Sequence, residues 1–224
     1  MTDINQILGK LLGSNLAGGF AGGLAGGLAS NVLTSKSGRK MGKNALKMGG
    51  VAAVGALAYA AYQRYAAGNE KTSGVSNVPR SETPLPPPPP GSAFMPPEGD
   101  TAGRETLGLT LVRAMIAAAR ADGRLDAQES QAIFQRIASL ELPPDDQALL
   151  VKEMGRPVDM DAIVNSATSP EVAAEIYIAS LLAVDVDTPA EQSYLAMLAA
   201  RLNMDPDLVA ELHRQVAAQT TGGA

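Results

Sequence analysis

The feature that most constrains this chain is an uncharged, glycine-rich stretch at residues 11–33. Large apolar residues recur in it at every fourth position, and two series of glycines follow the same step. These positions are Leu12, Leu16, Phe20, Leu24, Leu28 and Val32, then Gly18, Gly22 and Gly26, and finally Gly19, Gly23 and Gly27. A four-residue step on a helix gives one slowly wrapping stripe. Because glycine stripes let two helix backbones approach closely, the pattern predicts self-association.

In water this stretch is a poor helix, because each glycine costs about 1 kcal/mol relative to alanine. Its length is sufficient for a membrane span, which needs about 20 residues. Its glycines and asparagines make insertion of one isolated helix marginal, and a packed pair is more favourable. We therefore predict a glycine zipper that associates with a membrane and with a second copy of the chain. A flexible glycine-rich tether is the alternative.

A second uncharged stretch, residues 48–63, is rich in alanine; it contains Tyr59 and Tyr62, and Tyr65 follows it closely. A helix of this length spans roughly 24 Å, which is less than the roughly 30 Å apolar core of a bilayer. The tyrosines fit an aromatic belt at the membrane interface. The stretch therefore fits either one arm of a helical hairpin or an interfacial helix beside one span.

Five basic residues separate the two stretches, and no acidic residue lies among them. They are Lys36, Arg39, Lys40, Lys43 and Lys47. Cations beside an apolar segment indicate contact with anionic lipid on the cytoplasmic side of a membrane, and a solvated loop is the alternative. One span would place the rest of the chain outside the cytosol, whereas a re-entrant hairpin or interfacial attachment keeps it inside. We favour the cytosolic arrangement.

Charge and proline content divide the chain into three parts. Residues 1–67 form the basic head, residues 68–103 a linker, and residues 104–224 an acidic body with nine basic and eighteen acidic residues. The linker contains the run Pro86 to Pro90, which predicts a disordered spacer with a stretch of polyproline II. A docking site for a proline-binding module is the alternative. The acidic body argues against nucleic acid as a partner.

The body shows helical spacing of apolar residues and no alternation typical of strands. We predict an all-α bundle of about six to seven helices. Asp126 stands three residues before Glu129, and Thr188 three residues before Glu191, as in capping boxes. A cap residue also precedes a first-turn proline in Ser169-Pro170, Thr188-Pro189 and Asp205-Pro206.

Several segments of the body carry a resemblance to known helical domains. The run Ala121-Asp-Gly-Arg-Leu-Asp-Ala-Gln-Glu129 resembles the acidic turn of TerB-like, tellurite-resistance-type domains. Glu175–Ile178, Ala183–Asp187 and Glu191–Leu195 resemble more specifically the YebE-like family of bacterial inner-membrane proteins. The resemblance covers residues 104–217. It implies an all-α TerB-like fold, an inner-membrane location and, for the wider superfamily, metal binding by the acids of two turns. The YebE-like family has no established activity that the resemblance could transfer to this chain.

Six acids in these two turns form the one constellation that suits a metal ion. They are Asp122, Asp126 and Glu129 in the first turn, and Asp185, Asp187 and Glu191 in the second. Oxygen-only ligands favour hard cations such as Ca²⁺ or Mg²⁺. In the alternative, Glu129 and Glu191 are the third helical residues of capping boxes and stabilise helix starts without metal. Asp185 and Asp187 are therefore the better metal candidates.

The absence of cysteine and the presence of one histidine exclude thiolate chemistry, disulfides and histidine-rich metal sites within the chain. We interpret that residue, His213, as a surface residue, and we expect no enzymatic activity. The sequence predicts a membrane-associated, non-enzymatic interaction or scaffold protein of the bacterial inner membrane. It would act in envelope or stress physiology with a protein partner that the sequence does not identify. A divalent-metal-binding or metal-responsive domain is the alternative.

Overall fold

A computed structural model of the chain describes residues 3–13, 50–69, 88–97, 99–121, 142–184, 186 and 188–221. These residues form eight helices and no strand, which confirms the predicted all-α fold. Six of the eight helices begin at Thr101 or later. The helices are α1 (Ile4–Gly13), α2 (Gly50–Asn69), α3 (Thr101–Ala119), α4 (Pro144–Met154), α5 (Met160–Asn165), α6 (Pro170–Leu182), α7 (Pro189–Arg201) and α8 (Pro206–Thr221).

Local sequence signals set the starts of the C-terminal helices, as predicted. Ser169 Oγ accepts the N–H of Val172 at 3.3 Å, and Thr188 Oγ1 accepts the N–H of Glu191 at 3.2 Å. Asp205 likewise accepts a backbone N–H at 2.8 Å at the start of α8. Each of these three helices begins with a proline, whose missing N–H would have no partner in a first turn.

Helix α6 lies at the centre of the fold and packs against α2, α3, α7 and α8. Every residue from Ala173 to Leu182 is buried. A mostly apolar helix that is buried on all sides needs neighbours on all sides, and the apolar stripes of the surrounding helices supply them. Buried residues of these stripes are Leu111, Met115, Leu195, Leu198, Leu208 and Leu212.

The second uncharged stretch lies inside the protein, which corrects its interpretation as a membrane-associated segment. It forms most of α2, which packs against α1, α6 and α8. Val51, Val54, Leu57 and Ala61 are buried there. An uncharged, alanine-rich stretch suits a protein core as well as a bilayer, so composition did not distinguish the two. No helix in the described part of the chain combines the length and apolarity needed to cross a membrane.

The tyrosines of α2 pack against protein rather than forming an interfacial belt. The buried ring of Phe94 lies 5.5 Å from that of Tyr59 and 5.6 Å from that of Tyr62, both edge-to-face. Tyr62 also meets Tyr65 at 6.1 Å. Edge-to-face pairs stabilise such contacts beyond the area they bury. The predicted belt is therefore corrected to an aromatic cluster that holds residues of the linker against α2.

The described part of the predicted linker before α3, residues 88–97, is packed against α2 and is not a free spacer. Pro88 and Phe94 are buried in it. Helix α3 then begins at Thr101, three residues before the predicted start of the body. Burial of Pro88 and Phe94 fixes this part of a segment whose composition indicates a free spacer. The rest of the linker, residues 70–87, lies outside the described residues.

Helix α1 belongs to the same core. Its buried residues are Ile4, Ile7, Leu8, Leu11 and Leu12. Helices α1 and α2 are so close that a Cβ atom at Gly50 would overlap Leu8 and Gly9. The described parts of the predicted head and of the body thus share one hydrophobic core.

Candidate functional site

Most residues of the predicted sites lie outside the described part of the chain. These are the metal candidates Asp122, Asp126, Glu129, Asp185 and Asp187, the zipper glycines Gly18, Gly19, Gly22, Gly23, Gly26 and Gly27, and the basic residues Lys36, Arg39, Lys40, Lys43 and Lys47. Their roles stay predictions. Within the described ranges, no three His, Cys, Asp or Glu side chains are grouped so that they could hold a metal ion.

Glu191 is the one predicted metal ligand that the structure describes, and it caps a helix. Its Oε2 accepts the N–H of Thr188 at 3.1 Å, while its own N–H donates to Thr188 Oγ1 at 3.2 Å. The residue is 2% exposed. This reciprocal pair is the capping box that the sequence predicted as the alternative to metal binding, and it is confirmed.

The described surface carries a groove between α3, the end of α4 and α5. Its volume is about 280 Å³. Ile116 and Ile163 form apolar parts of the lining, and Thr106, Thr110 and Ser166 add hydroxyl groups. A mixed lining of this kind suits a ligand that has both apolar and hydrogen-bonding groups.

Two arginines in this groove share one buried carboxylate. Glu153, whose side chain is 4% exposed, accepts a hydrogen bond from Arg113 Nε at 2.7 Å and another from Arg156 Nη1 at 3.3 Å. The hydrogen bond from Arg113 is the main cause that holds the pKa of Glu153 below its usual value, against the opposing effect of burial. The carboxylate is therefore charged at neutral pH and orients both guanidinium groups. We call these three residues the α4 cluster.

The arginines of the α4 cluster retain donors for a ligand. A guanidinium group has five N–H donors, and each arginine directs one of them to Glu153. The side chains of Arg113 and Arg156 are 37% and 55% exposed, so the groove and solvent reach them. Asp159, also in the lining, caps α5 by accepting the N–H of Ala162 at 2.9 Å. The groove can therefore accept an anionic oxygen group at its arginines.

Sequence reasoning missed the α4 cluster. Glu153 and Arg156 stand three residues apart. This spacing is common for exposed ion pairs, so it did not indicate that Glu153 is buried. Arg113 lies 40 residues before Glu153 in an alanine-rich helix. No local pattern joins the three, because tertiary packing alone brings α3 and α4 together.

A buried acid, Glu175, lies where α2 meets α6. It is fully buried, and neither of its carboxyl oxygens has a hydrogen-bond partner among the described residues. Burial raises the pKa of Glu175 to about 9, with a smaller contribution from the charge of Glu171. The carboxyl group is therefore neutral at pH 7, since a charge at this position would be unpaired in an apolar surrounding.

His213 is half-buried, so its interpretation as a surface residue was wrong. Its Nε2 lies 2.9 Å from the hydroxyl oxygen of Tyr177 on α6, and the two rings are 5.8 Å apart. Burial lowers the pKa of His213 and raises the pKa of Tyr177 to about 12. A position beside an apolar stripe does not reveal whether a neighbouring helix covers it.

These features define an all-α protein whose N-terminal helices complete the core of a C-terminal helical bundle. The chain belongs to the family described as "Protein of unknown function (DUF533)", which matches residues 18–216 and thus spans the predicted head, linker and body. It is also similar to the "Uncharacterized protein in ampR 5'region" of Yersinia enterocolitica. The two are 28% identical over 98 residues, which cover 44% of this chain and 70% of that protein. No solved structure matches the chain.

Proposed function

We propose that this chain is a non-enzymatic interaction or scaffold protein that residues 14–49 attach to the bacterial inner membrane. The uncharged zipper and the five basic residues after it support attachment, because they combine apolar insertion with attraction to anionic lipid. The helical bundle then presents its surface to a protein partner. The basic residues favour the cytoplasmic leaflet, and we therefore propose that the bundle lies in the cytosol.

The contact between α1 and α2 is the observation that carries the proposed membrane topology. Gly50 packs directly on Leu8 and Gly9, so the segment 14–49 leaves one folded body and returns to it. A segment with both ends on one body crosses a membrane an even number of times. The attachment is therefore a loop into the membrane, and both termini stay on one side.

The length of the segment disfavours two complete crossings. Its 36 residues give about 54 Å of helix at 1.5 Å per residue, whereas two crossings of roughly 30 Å need about 60 Å before any turn. An extended chain would be longer, but it would leave unpaired backbone groups in lipid. We therefore propose that the segment enters the apolar layer and returns to the same face.

A TerB-like fold, the YebE-like grouping and self-association through the zipper glycines are further parts of this proposal. The acidic turn beginning at Ala121 supports the first two, together with membership of the family. The four-residue glycine step supports the third. We place the metal-binding alternative second, because Glu191 is already used as a cap and its five companions lie outside the described residues.

Single-cysteine labelling tests the topology, since the natural chain has no cysteine. Gln6→Cys in α1 and Ala200→Cys in α7 are exposed positions on the two sides of the segment along the chain. In right-side-out membrane vesicles, a maleimide that does not cross lipid is expected to leave both sites unlabelled, and in inside-out vesicles to label both. Labelling of the two sites from opposite sides would show that the segment is a span.

Flotation with lipid vesicles tests the attachment itself. The full chain is expected to float with vesicles that contain anionic lipid, and replacement of the five basic residues by glutamine is expected to weaken flotation. Deletion of residues 14–49 is expected to abolish it. A full chain that stays at the bottom of the gradient with every vesicle composition would refute membrane attachment.

A further inference from the structure

Two clusters of the same composition lie on different parts of the fold. On α8, buried Glu211 pairs with Arg64 Nη1 at 3.6 Å and with Arg214 Nη2 at 2.8 Å. We call these residues the α8 cluster. Like the α4 cluster, it holds a glutamate with an almost buried side chain, one arginine three residues later and a second arginine from another helix. The arginines of the α4 cluster also line the groove of about 280 Å³.

We propose that the groove beside the α4 cluster binds a segment of a partner protein in which one carboxylate side chain stands between apolar side chains. The inference rests on the proposed interaction function and specifies its site and the chemistry of its partner. Arg113 and Arg156 hold the carboxylate, and the apolar part of the lining holds its neighbours.

Arg113 and Arg156 are preorganised for a carboxylate ligand. A guanidinium group presents a planar fork of donors that matches a carboxylate. Glu153 already fixes both side chains by hydrogen bonds at 2.7 and 3.3 Å, so binding loses little further side-chain freedom. The exposed fraction of each arginine leaves donors within reach of the groove.

The charges around the groove favour one carboxylate over a polyanion. The lining contains two arginines and two acids, Glu153 and Asp159, so it is formally neutral. A single carboxylate meets the unused donors of Arg113 and Arg156. A nucleic acid or a strongly acidic protein is in addition repelled by the excess of acidic residues in the segment 104–224.

The apolar part of the lining selects the neighbours of that carboxylate. Ile116 and Ile163 lie in the groove, and Val158 at its edge is 39% exposed, one of three large apolar side chains with such exposure among the described residues. The volume of about 280 Å³ accommodates a few side chains of a protein segment.

The test is an NMR titration of the full chain, solubilised in a mild detergent, with the peptide acetyl-Ala-Leu-Glu-Leu-Ala-amide. The control peptide carries Gln in place of Glu. We expect shifts of residues in α3, α4 and α5 with the first peptide and at least tenfold weaker binding of the second. Arg156→Gln is expected to weaken binding of the first peptide at least tenfold, and Arg214→Gln in the α8 cluster to leave it unchanged.

Both substitutions leave the buried glutamate with its second arginine, so both variants are expected to fold, and unchanged amide spectra verify this. Equal binding of the two peptides would show that the groove does not recognise the carboxylate. No binding, shifts confined to other helices, or equal losses in both variants would overturn the site. Vesicle flotation of the Arg156→Gln variant is expected to match that of the natural chain, so failure of the groove is separable from failure of membrane attachment.

Discussion

The carboxyl group of Glu175 on α6 lies directly against the backbone of Gly55 on α2. A Cβ atom at position 55 would stand 2.9 Å from Glu175 Oε1 and 2.7 Å from the carbonyl oxygen of Phe94. The predicted head, linker and body meet at this point. Glycine is needed here because three pieces of chain approach closely, and not because of an unusual backbone conformation.

Replacement of Gly55 by alanine is expected to destabilise the fold by about 1–3 kcal/mol, the usual cost of overpacking a core. The added methyl group would meet a backbone carbonyl, which moves less readily than the end of a flexible side chain. Chemical denaturation monitored by circular dichroism measures the change. Gly155→Ala is the matched control, because its Cβ would meet its nearest atom at 3.5 Å, an ordinary contact. Equal losses in both variants would contradict the close approach at Gly55.

The pH dependence of stability is expected to report on Glu175. Its folded-state pKa of about 9 lies above the usual value of 4.5. Between these values the folded state binds a proton that the unfolded state has lost, so the contribution of Glu175 to stability is fully present below pH 4.5 and decreases as the pH rises toward 9. The decrease approaches about 1.4 kcal/mol per pH unit.

Glu175→Gln is expected to remove this decrease and to raise the free energy of unfolding at pH 8 relative to the natural chain. Urea denaturation at pH 5, 6, 7 and 8 gives the difference between the two proteins, in which the other titrating groups cancel. Glu171→Gln is the control and is expected to change the slope little. Parallel stability curves for the natural chain and Glu175→Gln would show that Glu175 titrates normally.

Removal of Arg113 is expected to leave Glu153 incompletely paired. Arg113→Met should cost about 2 kcal/mol, less than the roughly 3–5 kcal/mol for a fully buried pair, because Arg113 is 37% exposed and Arg156 remains. The double variant Arg113→Met with Glu153→Met is expected to recover most of this loss, since it buries no charge. Thermal unfolding of the natural chain and of the two variants measures these changes. A double variant less stable than the single variant would contradict the pairing of Arg113 with a buried charge.

His213 is expected to titrate below its usual pKa of 6.5, because burial lowers its pKa. The unfolded state then binds the proton first, so the contribution of His213 to stability is present above pH 6.5 and decreases as the pH falls below it. NMR of the imidazole protons of the natural chain gives the pKa of His213, and a value above 6.5 would contradict the predicted effect of burial. Tyr177→Phe removes the 2.9 Å hydrogen bond to His213 and is expected to lower the free energy of unfolding by about 1–2 kcal/mol.

The cap at α7 is expected to act without metal. Thr188→Ala should cost about 1 kcal/mol, because the N–H of Glu191 loses its partner. Added Ca²⁺ or Mg²⁺ is expected to leave the melting temperature of the natural chain unchanged. A saturable rise that Asp185→Asn combined with Glu191→Gln abolishes would favour the metal-binding alternative instead.

Local features of this fold were predictable from neighbouring residues. The caps at Ser169 and Thr188 lie where the sequence placed them, since a cap side chain accepts the N–H of the residue only three positions later. The apolar stripes of α3, α7 and α8 likewise point into the core. Such signals act over one or two helical turns, so an all-α fold follows from the sequence.

Tertiary structure alone decided which surfaces these helices meet. Residues 50–63 of α2 carry no charge, which suits lipid and a protein core equally, and only the positions of α1, α6 and α8 show that protein buries them. The ion pair of Arg113 with Glu153, 40 residues apart in the chain, is likewise visible only in the tertiary structure. The burial of Glu175 and the half-burial of His213 are also decided there. The sequence by itself determined the helices and their caps, because these depend on contacts within a few residues. The core, the buried acids and the groove depend on contacts between distant segments, which only packing in three dimensions creates.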